Sequence, residues 1–366
     1  MPEGTIGIGF VGYGWIARAH AHALHTLNHL RPLEKRIRLV SIAGRHAEGV
    51  QAAAQELGFE RWTTSWEELV EDPDVDVLAN VAALEAHASP SIAALERGKP
   101  VLCEKPLGVD AVEAGRMLAA AEAAGVTHAC GFNYRFVPAV RLAHETLASG
   151  RLGEPRHFRF LYLQDWKSAG DQPRLSQDAG AVRDYAHLVD FLLHLGAQPI
   201  SVSATTARFL GEAEDAYAAA FELAGGAIAT LEASRCATGW KGRQRLEVNG
   251  SEGSLWWDME DINRLHVFFV KDEHEGLGGF RDVLVTQPDH PFLAGWWTPG
   301  HVLGWEASFV HQWREFLQAV LEERPVAETQ ASFEDGYRAA VLCEAILDAA
   351  REGRQVEVSA RRGAAR

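Results

Sequence analysis

Apolar residues in the first third of the chain fall in short, nearly continuous runs separated by helical segments. Such continuous apolar runs are typical of strands that are buried on both faces of a parallel sheet. The predicted strands are, in chain order, 5–12, 37–44, 75–82, 101–103 and 126–132. Helices are predicted between them, and the alternation of strand and helix indicates a doubly wound α/β sheet of the Rossmann type.

The remainder of the chain has a different pattern, in which strand candidates follow one another directly. These are 156–164, 200–209, 216–224, 227–234, 243–250, 254–259, 264–270 and 280–286. Turn sequences between them predict hairpins and an antiparallel sheet in an α+β domain. One helix at 181–195 interrupts this sheet, and two more follow at 305–322 and 333–352. We expect a dinucleotide-binding domain at 1–128 and a substrate-binding and oligomerisation domain at 129–366, whose last helices pack back toward the first domain.

The composition limits the kinds of molecule that the protein is expected to bind. Hydrophobic residues make up 47% of the chain, which is a globular composition, and the formal charge is −15. That charge disfavours nucleic acid and anionic membranes as partners. There is no transmembrane run, and a first strand at Thr5 leaves no room for a signal peptide. The four cysteines form no CxxC motif, so we expect a cytoplasmic protein with free thiols.

The junction of the first strand and first helix carries a glycine motif. Gly9, Gly12, Gly14 and Ala17 are spaced G-x-x-G-x-G-x-x-A. Gly12 permits a tight turn, Gly14 lets the backbone approach a pyrophosphate, and Ala17 allows close packing of helix on strand. The helix N-terminus adds N–H groups and a positive dipole end. The motif therefore predicts a dinucleotide site, with a purely structural glycine turn as the alternative.

The end of the second strand bears on the choice between NAD and NADP. An acidic residue there would bind the ribose hydroxyls of NAD, but the sequence has Arg45. Arginine suits a 2′-phosphate or can stack on adenine. The residue favours NADP without excluding NAD.

Two groups of residues are candidates for catalysis. Lys105 follows the strand at 101–103, so it lies at the sheet edge where ligands bind in this fold. On the predicted helix 181–195, Asp184 and His187 are three residues apart, as are His187 and Asp190. Such pairs share a helix face, and a carboxylate beside a histidine orients a general base. The alternatives are a surface lysine in a turn and a structural histidine.

Other histidines are weaker candidates. His20, His22, His25 and His29 lie on the first helix, but no carboxylate pattern accompanies them, so we expect no metal site. His301, in the sequence TPGH, is a candidate substrate contact.

Together these motifs resemble the glucose–fructose oxidoreductase, inositol dehydrogenase and rhizopine-catabolism (Gfo/Idh/MocA) family. The resemblance covers nearly the whole chain. Its segments are GFVGYGWIARAH (9–20), GKPVLCEKPLG (98–108), GFNYRFVPAVR (131–141), LEVNGSEGSL (246–255) and the C-terminal FEDGYRAAVLCEAILDAAREGRQVEV (333–358). The segment at 279–306 resembles the subgroup containing levoglucosan-type sugar dehydrogenases.

The resemblance implies an oxidoreductase that transfers a hydride between NAD or NADP and a carbinol carbon of a sugar, cyclitol or related polyol. It implies Lys105 as the catalytic lysine, with His187 and Asp184 as base and carboxylate. It places substrate near Asn133, Tyr134 and Arg135. The further cofactor contacts that it implies are Tyr13, Trp15, Ile16, His87 and Glu104. A homodimer or homotetramer, formed through an open antiparallel sheet, is also expected.

Three departures from the family pattern support an alternative. The spacing from Asp184 to His187 is three where the family usually has four, and the connector at 167–179 is short. Ala82-Ala83-Leu84 stands where Thr-Pro-Asn is common. Tyr185 and Ala186 stand where a glycine-containing stretch is common. The alternative function is a catalytically inactive, cofactor-binding regulatory or scaffold protein of the same fold.

Overall fold

The computed structural model describes residues 4–168, 179–275 and 278–358. The chain forms two compact units. The first unit contains the residues through Phe136 together with Leu303–Arg338, and the second contains Val137–Val302 and the residues from Ala339 onward. The boundary predicted at residues 128 and 129 stays a prediction. Residues 359–366 and most of the connector at 167–179 lie outside the described residues.

The N-terminal part of the first unit, residues 4–136, contains six strands and five α-helices that alternate along the chain. The strands are β1 (Thr5–Val11), β2 (Arg36–Ala43), β3 (Arg61–Thr63), β4 (Val77–Asn80), β5 (Val101–Cys103) and β6 (His128–Cys130). The helices are α1 (Trp15–Leu30), α2 (Ala47–Leu57), α3 (Trp66–Glu71), α4 (Ala88–Glu96) and α5 (Ala111–Ala124). The strand order is β3-β2-β1-β4-β5-β6 and every pairing is parallel, which confirms the predicted Rossmann-type sheet.

The helix boundaries of this unit follow from local sequence. The Ser65 hydroxyl accepts the N–H of Glu68 at the start of α3, and the Asp110 carboxylate accepts the N–H of Glu113 at the start of α5. These side chains satisfy N–H groups that have no partner within the helix. At the C-terminal end of α2, Gly58 has a φ of 80°, a left-handed conformation that glycine adopts without strain.

The carboxyl ends of the parallel strands fall in one row of the sheet. Val11 is in register with Asn80, Asn80 with Cys103, and Cys103 with Cys130. The residues that follow each strand therefore emerge side by side at one edge. The order of the strands reverses between β1 and β4, where ligands bind in open α/β sheets.

The second unit has, across its described residues, a nine-stranded sheet and three helices of its own. The strands are β7 (Pro155–Leu163), β8 (Pro199–Ala207), β9 (Ala216–Leu223), β10 (Ile228–Ser234), β11 (Arg243–Gly250), β12 (Gly253–Asp258), β13 (Arg264–Phe269), β14 (Arg281–Leu284) and β15 (Val356–Glu357). The helices are α6 (Pro138–Ala148), α7 (Gly180–Asp184) and α8 (Ala186–His194). Burial alternates along β9, so one face of the sheet covers a core and the other does not.

The structure corrects several sequence predictions for this unit. The sheet has the order β14-β13-β12-β11-β7-β10-β9-β8-β15 and is antiparallel except for the pairing of β7 with β10, which is parallel. The helix predicted at 181–195 is two helices, because Tyr185 has a φ of −95° and a ψ of 32°. Sequence analysis also missed the helix α6 in this unit and the short β3 in the first unit.

Two C-terminal helices complete the fold, α9 (Ala307–Leu321) and α10 (Phe333–Glu352). Helix α9 packs against α1 in the first unit. Helix α10 belongs to both units, since the boundary between them falls after Arg338. Across the described residues, no helix is both long and apolar enough to cross a membrane.

Candidate functional site

The turn between β1 and α1 is shaped by two glycines with different roles. Gly12 has a φ of 100°, and a Cβ placed there would lie 2.5 Å from the Cα of Ala82. Its N–H donates to the carbonyl of Ala43 at 2.9 Å. Only glycine fits this crowded, left-handed position. Gly14 has an extended backbone, and among the described residues nothing lies within 4 Å of a Cβ built on it.

The N-terminus of α1 suits the phosphates of a dinucleotide. Gly14 caps the helix, and over this described segment neither a side-chain cap nor an acidic residue in the first turn competes for its N–H groups. The free space above Gly14 lets an anion approach these donors, and the helix dipole favours its negative charge. The residues present therefore fit the pyrophosphate of NAD or NADP.

The other predicted cofactor residues of this region surround the same turn. The ring of Tyr13 fills the space beside Gly44, where a Cβ would lie 2.2 Å from the ring. Trp15 is 69% exposed, and its ring stacks on that of Trp305 with centroids 6.0 Å apart. Arg45 is exposed just beyond the end of β2.

Lys105 follows β5, two strands away from the glycine turn in the same row of strand ends. Glu104 follows β5 directly, and its N–H donates to the carbonyl of Asn80 on β4. The peptide bond between Lys105 and Pro106 is cis. Lys105 itself is half-buried, whereas Glu104 is buried. The sequence prediction that the lysine lies at the ligand-binding edge of the sheet, and not in the core, agrees with this placement.

His87 connects two segments at this edge. Its Nδ1 lies 2.9 Å from the carbonyl oxygen of Pro106 and its Nε2 lies 3.2 Å from that of Ala82. Burial lowers the pKa of His87, with the Pro106 carbonyl opposing that effect. The ring therefore lies between a carbonyl of the loop after β4 and a carbonyl of the loop after β5.

Asn133, Tyr134 and Arg135 form a short 3₁₀ turn after β6, and all three are buried. The Asn133 amide donates to the Ser308 hydroxyl at 2.8 Å. The Arg135 guanidinium lies 3.1 Å from a carboxylate oxygen of Asp335. Burial alone would raise the pKa of Asp335, but Arg135 and the hydrogen bonds from Ser332 outweigh burial and lower it. Asn133 and Arg135 thus anchor the turn, and their contact with substrate stays a prediction.

In the second unit, the break at Tyr185 separates the two predicted catalytic residues of the helix. Asp184 is the last residue of α7, and His187 lies in the first turn of α8. The Tyr185 hydroxyl oxygen lies 3.1 Å from Gln164 Oε1 and 3.3 Å from the Ser234 carbonyl oxygen, and the two acceptors share its single proton. Burial raises the pKa of Tyr185 well above its ordinary value, and the Asp184 carboxylate adds to that rise. The expectation that Asp184 and His187 lie on one continuous helix is therefore wrong, and their pairing stays a prediction.

The N-terminus of α7 is fixed by Glu214. Its carbonyl accepts the N–H of Ala181 at 2.9 Å, and its carboxylate accepts the N–H of Val182 at 3.2 Å. Gly180 has a φ of 80°, and a Cβ there would lie 2.1 Å from a Glu214 carboxylate oxygen. These contacts set the direction in which α7 presents Asp184.

His187 is only 6% exposed and Asp190, on the same helix, is 2% exposed. Asp184 is half-buried. His301 is exposed, and its Nδ1 lies 2.9 Å from the carbonyl oxygen of Thr298. A partly shielded carboxylate and a buried imidazole on adjacent helical turns are suited to proton transfer.

The predicted site residues are thus divided between the two units. The first unit brings together at one sheet edge the residues Gly12, Tyr13, Gly14, Trp15, Ile16, Arg45, His87, Glu104 and Lys105. Gly9 lies within β1, where a Cβ would be 2.8 Å from Val75 and 2.9 Å from Leu69, so the structure places it in the core and not at this edge. Asn133, Tyr134 and Arg135 follow the last strand of the same sheet. Asp184, His187 and His301 belong to the second unit. The roles of these residues stay predictions.

Sequence analysis missed three residues that shape this edge. Asn80 is buried, and its amide donates to the carbonyls of Ala86 and His87, both at 2.9 Å. His20 was assigned to a histidine-rich helix, yet it is fully buried and 3.0 Å from Glu104. Trp313 donates to the same histidine. The signal that identifies His20 is its place on the buried face of α1, because positions 22, 25 and 29 are exposed.

Comparisons with known proteins agree with this architecture. Residues 6–132 match the model of the oxidoreductase family with an NAD-binding Rossmann fold, and residues 140–256 match the Gfo/Idh/MocA C-terminal domain. Levoglucosan dehydrogenase from Pseudarthrobacter phenanthrenivorans is 30% identical over 97% of this chain and 98% of its own.

Solved structures give the same result. An oxidoreductase domain protein from Kribbella flavida is 36% identical, with a TM-score of 0.92 over 98% of this chain and 100% of its own. Levoglucosan dehydrogenase in complex with NADH and levoglucosan is 30% identical, with a TM-score of 0.91 over 97% of this chain and 100% of its own.

A Rossmann sheet with a glycine turn after its first strand, followed by a large second sheet, is the architecture of the nicotinamide-dependent oxidoreductases that the family models describe. The chain belongs to the Gfo/Idh/MocA family of oxidoreductases. It is an enzyme of the dehydrogenase and reductase class and carries an NAD-binding domain. The preference for NADP drawn from Arg45 finds no support in these comparisons, because the similar solved structure contains NADH.

Proposed function

We propose that the protein is an NAD-dependent dehydrogenase that oxidises a carbinol carbon of a sugar, anhydrosugar or related polyol. The observation that carries this proposal is similarity to levoglucosan dehydrogenase over nearly the full length of both chains. Lys105 at the ligand-binding edge of the Rossmann sheet, together with Asp184 and His187 in the second unit, supplies groups for this chemistry.

The proposed mechanism assigns one task to each side chain. Bound NAD supplies the hydride acceptor. His187 takes the proton of the substrate hydroxyl, and Lys105 donates a hydrogen bond to the oxygen as negative charge develops on it. Asp184 orients the imidazole or holds a neighbouring hydroxyl. A positioned base contributes about 10²–10⁴ in rate, and a donor aimed at a developing oxyanion contributes about 10²–10³.

We propose NAD as the physiological cofactor. Support comes from the NAD-binding family domain and from the NADH in the levoglucosan dehydrogenase structures. Arg45 is exposed beyond β2, where an arginine can stack on adenine without requiring a 2′-phosphate. We further propose a cytoplasmic homodimer or homotetramer. The second unit's sheet supports this, because alternate residues of its strands leave one broad face uncovered by that unit's own core.

A turnover screen tests the proposal. Purified protein is incubated with NAD or NADP and a panel of levoglucosan, aldoses, glycosides and inositols, and nicotinamide absorbance is followed. Replacing Lys105 by Met is expected to lower kcat at least about a hundredfold while NADH binding persists, since the backbone that holds the cofactor is unchanged.

Intact turnover in the Lys105→Met protein would show that the lysine has another role. A protein that binds NADH yet oxidises no member of the panel would instead favour the inactive cofactor-binding alternative. Arg116→Met on the exposed face of α5 provides a matched loss of one cation and is expected to keep full turnover.

A further inference from the structure

A chain of buried hydrogen bonds leads from α9 to the backbone of Lys105. The Trp313 indole N–H donates to His20 Nδ1 at 2.9 Å. Nε2 of His20 lies 3.0 Å from Glu104 Oε1, and the N–H of Lys105 donates to Glu104 Oε2 at 3.1 Å. His20 and Trp313 are 0% exposed and Glu104 is 7% exposed. All four residues belong to the first unit.

The indole fixes the direction of this chain. An indole nitrogen can only donate a hydrogen bond, so Nδ1 of His20 must accept, and the proton of the neutral ring then resides on Nε2. His20 consequently donates to Glu104. Trp313 is itself held by its apolar surroundings, since its ring stacks on Phe10 with the planes 9° apart.

Packing at Glu104 shows that the fold reserves space for this carboxylate. A Cβ on Gly131 would lie 2.7 Å from Glu104 Oε1 and 3.0 Å from its Cα. Burying a carboxylate is costly unless its oxygens are hydrogen-bonded, and an apolar residue would avoid that cost. The two oxygens of Glu104 are instead bound by His20 and by the N–H of the next residue, Lys105.

We propose that His20, Glu104 and Trp313 are positioning residues that hold the backbone of Lys105 in its catalytic orientation. This inference rests on the proposed role of Lys105. The Glu104 carboxylate accepts a hydrogen bond from the backbone N–H of Lys105. His20 orients that carboxylate, and Trp313 fixes the tautomer of His20. A displacement of about 1 Å at a reacting group can reduce the rate about a hundredfold, so loss of these hydrogen bonds is expected to lower kcat measurably.

The first test compares variants along the chain. Trp313→Phe and His20→Leu are each expected to lower kcat about tenfold to a hundredfold, while KM and the dissociation constant of NADH change less than about threefold. His20→Gln, which keeps a donor near the position of Nε2, is expected to recover much of the loss. His22→Gln on the exposed face of the same helix is the matched control.

A double-mutant cycle separates positioning from general damage. If His20 acts through Lys105, then adding His20→Leu to Lys105→Met causes no further fall in kcat. A full additional loss in the double variant would overturn the proposal. It is also overturned if the single His20 and Trp313 variants keep wild-type kcat while Lys105→Met does not. Full turnover in Lys105→Met would refute the proposed lysine chemistry itself.

A spectroscopic test does not depend on a substrate. In the ¹⁵N-histidine NMR spectrum of the full chain, His20 is expected as the neutral tautomer with its proton on Nε2. The Lys105 amide signal is expected to shift in Trp313→Phe and to stay in place in Trp62→Phe, a partly exposed control. A proton on Nδ1, or an unchanged Lys105 signal, would overturn the proposal. Trp313→Phe keeps an aromatic ring, so it carries the test if His20→Leu does not fold.

Discussion

Replacing Gly12 by Ala and replacing Gly14 by Ala are expected to affect different properties of the protein. In Gly12→Ala, the new methyl group would lie 2.5 Å from the Cα and 2.6 Å from the N of Ala82, on a backbone with a φ of 100°. In Gly14→Ala, the backbone already has a φ of −67° and a ψ of −177°, and within the described chain nothing lies within 4 Å of the methyl group. The first change should affect folding and the second should affect the ligand.

The size of each effect follows from this geometry. A left-handed backbone costs a non-glycine residue about 1–2 kcal/mol, and relieving an overlap with backbone costs about 1–3 kcal/mol more. Alanine returns about 0.4–1 kcal/mol by restricting the unfolded chain. Gly12→Ala should therefore lower the free energy of unfolding by about 1–5 kcal/mol. For Gly14→Ala, that gain is offset by a poorer helix cap, so the net change should stay within about 1 kcal/mol.

Two assays on the same pair of variants check this reasoning. Urea unfolding followed by circular dichroism measures the free energy of unfolding, and calorimetry measures NADH binding. Gly14→Ala should bind NADH at least about tenfold more weakly, a loss of about 1.4 kcal/mol, because its methyl group occupies the space that a pyrophosphate must enter. Wild-type affinity in Gly14→Ala, or equal destabilisation of the two variants, would refute the assignment of the phosphate site.

Three further predictions concern stability. Ser65→Ala removes the cap of α3 and should cost about 1 kcal/mol in urea unfolding without altering kcat; an unchanged unfolding curve would contradict the cap. Asp335→Asn should make the free energy of unfolding depend less on pH in acid. Because Arg135 helps to hold the pKa of Asp335 below 3.8 in the folded protein, the carboxylate stabilises the fold above pH 3.8. This stabilisation disappears as the pH falls through the pKa that Asp335 has in the folded protein. Equal slopes for wild type and variant between about pH 2 and 5 would refute it. Gly180→Ala should destabilise the second unit by about 2 kcal/mol or more, since its methyl group would meet Glu214 on a left-handed backbone; the matched change Gly196→Ala, with a similar φ and open space among the described residues, should cost less.

Sequence patterns were sufficient where local chemistry determines structure. The strand at 101–103 and the helix at 333–352 depend on residues within a few positions of one another. The parallel pairing of β7 with β10 was not predictable in this way. It joins residues about seventy positions apart, and alternation of side chains is the same in parallel and antiparallel partners.

The site shows the same distinction. The glycine turn and Lys105 could be placed from sequence because parallel strands end at a common edge. The break at Tyr185 could not, because the hydroxyl is held by Gln164 and by the Ser234 carbonyl, which are distant in sequence. The hydrogen bonds at Glu104 could not be predicted either, since His20 lies 84 positions before Glu104 and Trp313 lies 293 positions after His20.

The division of the first unit along the chain has a consequence for protein engineering. A fragment that ends near residue 136 would lack Leu303–Arg338, which belongs to the same compact unit. It would expose the apolar surface where Phe309 and Trp313 of α9 cover His20 of α1. A cofactor domain transplanted between relatives therefore needs two stretches of chain, joined by a designed linker, to remain folded and soluble.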